Sequence, residues 1–139
     1  MRQILLITLG LSTALFASFS KNGNIVTDST TGLQWQDNAT RSDMTWTAAI
    51  DYCENLTLDT YRDWRLPNLK ELTSIMDDTK KTPSIDTSAF ENTGYDHYWS
   101  STTYAGTSDT AWGVYFRYGY HYHGYKTYYC SVRCVRAGQ

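Results

Sequence analysis

The sequence lacks a basic block, and charged residues make up only 19% of it. Lys and Arg number 12 against 14 Asp and Glu, a formal charge of −2. Phosphate neutralisation dominates nucleic-acid affinity, so no nucleic-acid partner is expected. No long apolar run follows residue 37, which leaves no second candidate for a membrane span. Internal repeats, low-complexity tracts and a collagen-like Gly-x-y stalk are all missing. The composition also excludes a coiled coil and a disordered chain. A length of 139 residues is one domain's worth, enough to bury a single core. Aromatic residues, by contrast, are plentiful: 12 Tyr, 5 Trp and 4 Phe make 15% of the chain. Ten of the 12 tyrosines lie after residue 94, which marks the C-terminal third as unusual.

Residues 1–20 read as a secretory signal. Arg2 supplies the positive start, and residues 4–16 form an apolar run too short to span a bilayer comfortably. Ser18-Phe19-Ser20 satisfies the small-x-small rule for cleavage after residue 20; cleavage after Ala17, with Leu15 at −3, is the second position. The expectation is an exported protein, periplasmic, secreted or at the cell surface, with a single mature domain over residues 21–139. Loss of Arg2 leaves 11 basic against 14 acidic residues, or −3.

Export permits disulfides. The cysteines are Cys53, Cys130 and Cys134, an odd number, so one bridge and one free thiol is the simplest arithmetic. Cys130 and Cys134 lie about 13 Å apart at strand rise, too far to pair without a tight turn. The preferred pair is Cys53 with Cys134, tying an early helix to the last strand. Cys130 is then free, buried, or open to an intermolecular bridge.

Residues 25–27 and 33–36 flank the turn-rich 28–32 and predict a β-hairpin with Trp35 facing the core. Trp46, Ala49, Ile50 and Cys53 fall on one helical face, with Thr45 as the expected N-cap. Asn68 and Glu71 predict a capping box opening a second helix, whose apolar face is Leu69, Leu72, Ile75 and Met76. A long loop spans 79–94, with Phe90 as its anchor. Trp112, Val114, Phe116 and Tyr118 alternate as a strand, residues 120–125 read as a tip or turn, and 128–136 close the sheet. The order predicts an α+β fold with two helices packed on a small antiparallel sheet and long loops. The N-terminal hairpin and the last strand are expected to pair.

Six stretches occur together in order: Gly32-Leu33-Gln34-Trp35; Trp46-x-x-Ala49-x-x-Tyr52-Cys53; Asp63-Trp64-Arg65-Leu66-Pro67-Asn68 with Glu71-Leu72; Tyr98-Trp99-Ser100-Ser101-Thr102; Trp112-x-Val114-x-Phe116; and Val132-Arg133-Cys134-Val135-Arg136. The set resembles the bacterial Lcl C-terminal domain family, named for a collagen-like adhesin of Legionella. Trp64-Arg65-Leu66-Pro67 and the terminal Arg-Cys-x-Arg also look like formylglycine-generating-type and C-type-lectin-like domains. The resemblance implies a C-type-lectin-like fold, a bridge from first helix to last strand, and surface-exposed ligand binding. The named member binds sulfated polysaccharides as a trimer, but the present chain has neither the stalk nor a marked basic patch.

Catalytic geometry is not evident. No Ser-His-Asp spacing points to a nucleophile, and Cys130-x-x-x-Cys134 does not reproduce the cysteine pair of formylglycine-generating enzymes. Trp64 is expected in the core and Arg65 on loop carbonyls. His121 and His123 share one face of an extended segment but lack a third metal ligand, with His97 or Asp109 as distant candidates. Asp77, Asp78, Asp86 and Asp96 bracket the long loop and offer oxygens to a structural calcium, without EF-hand spacing; no other cofactor is expected. The densest unusual cluster is Tyr115, Arg117, Tyr118, Tyr120, His121, Tyr122, His123 and Tyr125. Alternation forbids all of them from entering one core, and exposed aromatics with polar tips suit a binding surface. The chain is therefore read as a non-catalytic, adhesin-like module whose partner is a glycan or other extracellular polymer. The alternative is an envelope domain that uses the Tyr-rich face to bind a surface protein.

Overall fold

Local turn chemistry builds the first sheet. In the computed structural model, which describes residues 10, 18–38, 42–94 and 96–138, the Asp28 carboxylate accepts from Thr30 N–H at 2.8 Å and from the Thr31 hydroxyl at 2.9 Å. That turn joins β2 (Ile25–Asp28) to β3 (Leu33–Gln36) as the expected antiparallel hairpin. Most of the expected leader lies outside the described residues. Its last part is in the fold: β1 (Phe19–Asn22) pairs with β2, and the Phe19 ring packs edge-on against Phe90 at 5.1 Å. Sequence periodicity missed β1, because four residues alternating around Lys21 carry too little pattern. On the far side β3 pairs with β7 (Val135–Ala137), giving the order β1-β2-β3-β7. The two ends of the domain thus meet in one sheet, as expected.

Val26, Trp35 and Val135 stand in register and are fully buried. Each such side chain contributes on the order of 1.5–3 kcal/mol when removed from water. The opposite face is polar apart from Ile25, which packs with Ala49, Cys53 and Trp64. There Arg136 donates to Gln34 Oε1 and, at 2.7 Å, to Asp63 Oδ1.

Helix α1 (Trp46–Glu54) buries Ala49 and Cys53, the centre of its predicted face. Thr45 sits at the N-cap in extended conformation, but its side chain makes no capping bond. Helix α2 (Leu69–Ser74) carries the full capping box: Asn68 Oδ1 accepts from Glu71 N–H, and Glu71 Oε1 accepts from Asn68 N–H. Glu71 also takes both arms of Arg65, at 2.6 and 2.7 Å. Arg65 therefore braces a helix start through a carboxylate, not a loop through carbonyls. The second helix is only six residues long; Ile75 caps it and points into the core.

The second sheet is antiparallel, ordered β4 (His97–Thr103), β5 (Thr110–Tyr115), β6 (Tyr120–Tyr125). Residues 120–125 are thus a strand, and the tip lies at 116–119, where Gly119 takes φ +72° and donates to the Tyr115 carbonyl. The predicted strand through Phe116 and Tyr118 stops at Tyr115: Phe116 is buried in the turn and Tyr118 is half exposed. Residues 128–136 do not close this sheet. Cys130 bridges Met44, Ser131 bridges Tyr98, and only Val135–Ala137 forms a strand, in the other sheet.

The second sheet is covered on both faces. Tyr98 and Val114 pack with Leu72, Ile75, Phe90 and Phe116 on the α2 side. Trp99 and Ala111 pack with Ala49, Cys53 and Trp64 on the α1 side. Cys53 and Cys134 are joined, with Cα atoms 5.5 Å apart. Among the described residues no helix is long and apolar enough to cross a membrane.

Candidate functional site

Strand register decides what the aromatic residues can do. Trp99, Gly113 and Tyr122 are cross-strand neighbours, as are His97, Tyr115 and Tyr120. Gly113 lets Tyr122 lie across the sheet: a Cβ there would stand 2.6 Å from the Tyr122 ring. The ring instead meets His97 at 4.1 Å and Trp99 at 6.3 Å. Its hydroxyl donates to Cys130 Sγ at 3.1 Å.

Beside this ring opens a cleft of about 440 Å³, the size range of small-ligand sites. β4 contributes His97, and β6 contributes Tyr122, His123 and Gly124. Residues 127–130, which leave β6 and cross toward β4, complete it. Tyr128 and Tyr129 are 54% and 72% exposed, so two large aromatic side chains stand at the cleft with faces open to water. A second hollow of about 260 Å³ lies alongside, lined by Thr107, Thr110, Tyr125 and the shared His123, Gly124 and Tyr128. Tyr125 and Tyr128 meet edge-to-face at 5.4 Å.

The electrostatics are those of a quiet site. Burial pushes the Cys130 thiol up to about 11; the Tyr122 hydrogen bond opposes this, and the carboxylates of Asp43 and Asp96 add to it. Burial likewise raises Tyr122 well above the ordinary phenol range. His97 is lowered by burial, with the Asp96 carboxylate opposing. Cys130 is free and buried, which leaves it poorly placed for an intermolecular bridge.

The residues singled out from the sequence divide among several places. Tyr115 contacts Tyr118 and Tyr120 at 5.4 and 5.1 Å, with the Arg117 guanidinium 5.2 Å from the Tyr118 ring. Tyr118 and Tyr120 are about half exposed there, at the hairpin end. Tyr122, His123 and Tyr125 belong to the cleft and its neighbour. His121 and His123 do share a face, but they are apart in function. His123 stacks on Tyr104 at 4.0 Å. His121 Nε2 meets Thr73 Oγ1 at 2.8 Å, and that oxygen is also within hydrogen-bond reach of the Leu69 carbonyl at 2.7 Å.

His97, Thr127, Tyr128, Tyr129 and Cys130 were missed as cleft residues. The available signal is the adjacent pair Tyr128-Tyr129, which cannot both face one core in the segment expected to close the sheet. Among the described residues no group of three or more His, Cys, Asp or Glu is placed to hold a metal ion. Asp77 and Asp86 each accept locally, from Thr79 and Ser88.

No curated protein sequence matches the chain. The family model of the Lcl C-terminal domain matches residues 24–136, a span running from β2 to β7 and containing the cleft, the disulfide and both helices. On that match, the chain belongs to the Lcl C-terminal domain family.

Proposed function

We propose that this domain is an exported, non-catalytic module that binds a saccharide or other extracellular polymer at the aromatic cleft. The observation that carries the reading is the pair of open tyrosines, Tyr128 and Tyr129, standing beside a cleft of about 440 Å³. Flat aromatic faces stack on sugar rings, and the cleft's hydroxyls can bond to sugar hydroxyls. The thiol and phenol inside the cleft hold their protons tightly, which suits recognition better than chemistry. A C-type-lectin-like arrangement, implied by the resemblance, agrees with the link from α1 to the residue preceding β7 through Cys53 and Cys134.

A glycan array probed with the purified domain, with calcium and with chelator, tests the reading. Binding is expected, and Tyr129→Ala should abolish it without loss of fold. Loss through Tyr120→Ala alone would move the site to the hairpin end. A blank array with a folded protein would overturn saccharide binding and make the tyrosines a protein interface.

A further inference from the structure

The cleft and its neighbouring hollow adjoin. They share His123, Gly124 and Tyr128, and Tyr128 stands at both. Gly124 sits between two rings: a Cβ there would be 3.3 Å from Tyr122 and 3.4 Å from Tyr128. The absence of a side chain keeps the junction between the hollows low.

Among the described residues, neither hollow is lined by an Asp, Glu, Lys or Arg. Lys126, close in sequence to the cleft residues, is engaged elsewhere. Its ammonium donates to Thr103 Oγ1 at 3.0 Å and to the Ser108 carbonyl at 2.8 Å, and it sits 4.0 Å from the Trp46 ring centroid. The fixed charges felt at Cys130 are the carboxylates of Asp43 and Asp96, both negative. An anionic ligand would meet no countercharge among the described lining residues, and desolvating an unpaired charge is costly. Uncharged hydroxyls, by contrast, are abundant: Thr107, Thr110, Thr127, Tyr128 and Tyr129.

We infer that the ligand is an electrically neutral oligosaccharide whose adjacent rings lie on either side of Tyr128. The inference rests on the saccharide-binding reading and specifies its ligand class. It departs from the sulfated polymers bound by the member for which the family is named.

Isothermal titration of the full mature domain tests it, with neutral dextran, laminarin, cello-oligosaccharides and chito-oligosaccharides set against heparin and dextran sulfate. Binding to at least one neutral probe is expected, with affinity that changes less than about twofold between low and high salt. A trisaccharide of the bound probe should bind at least about tenfold more tightly than its monosaccharide, because two rings are engaged. Tyr128→Ala should weaken binding by about tenfold or more, and Tyr128→Phe by much less. Unchanged urea midpoints for both variants would show that the effect is not loss of fold. Binding confined to the sulfated probes and suppressed by salt would overturn the neutral ligand, while leaving a saccharide-binding module. Equal affinity for mono- and trisaccharide would overturn the two-ring arrangement. Failure of every neutral and sulfated probe would count against saccharide binding itself.

Discussion

Asp37 is the place where a single substitution should do most damage. Its side chain is fully buried and each oxygen serves two donors. Oδ2 accepts from Lys21 Nζ at 2.8 Å and from Glu91 N–H at 2.9 Å. Oδ1 accepts from Asn92 N–H and from Arg133 Nη2, both at 3.1 Å. The carboxylate therefore ties β1, the long loop and the segment before β7 to the end of β3. Asp37→Asn is isosteric but fails in either orientation. Its amide must face one backbone N–H and one cation, donor against donor, and Arg133, only 3% exposed, loses its buried countercharge. Breaking a buried pair from one side costs about 3–5 kcal/mol. Against a total of about 5–15 kcal/mol this is a large share. Urea unfolding at neutral pH, with the disulfide intact, should show that loss. Adding Arg133→Met removes the charge that Asp37 had balanced, so the double variant should recover on the order of 1 kcal/mol relative to additivity. A loss below about 1 kcal/mol for Asp37→Asn, or strict additivity, would refute the reasoning.

Two further outcomes follow from the site and from α2. The Cys130 thiol, pushed up to about 11, should alkylate with iodoacetamide about a hundredfold more slowly than an ordinary thiol near neutral pH, its rate climbing as pH rises toward that value; reaction at the rate of an exposed thiol would contradict its burial. Glu71 is held below the usual carboxylate range chiefly by Arg65, with burial opposing and the Asn68 N–H assisting. A depressed carboxylate contributes stability that is present above its unfolded value and lost as pH falls through its folded one. The melting temperature should therefore fall below about pH 4.5, and less steeply in Glu71→Gln, which keeps the capping geometry but not the charge. Identical acid limbs for the two proteins would remove Glu71 from the account.

The readable parts of the fold were those decided within a few residues. The turn at 28–32, the capping box at Asn68 and Glu71, and the apolar face of α1 each needed only neighbouring positions. β6 was illegible because Tyr120-His121-Tyr122-His123 puts rings on both faces, leaving no alternation of apolar and polar to detect. Its conformation comes from six register contacts with β5. The candidate site was legible as a region, through the crowding of tyrosine, but not as a cavity. His97 is far in sequence from Tyr122 and Tyr129, and the pairing of β4 with β5 and the return of residues 127–131 across the sheet bring them together. The interior role of the long loop was half visible: Phe90 was expected as an anchor, but Ile85 and Ala89 join it in the core.

The covalent link between Cys53 and Cys134 sets the route that tension would take through this domain. A pull on both ends enters through β1, β2 and β3, passes along α1 to Cys53, crosses the sulfur bridge and leaves through β7. Residues 54–133 hang from that route as a closed loop and carry none of the load along their backbone. His97, Tyr122, Tyr128 and Tyr129 are all within the loop. A pull applied between the two ends would therefore strain the first sheet while the cleft stays off the covalent path.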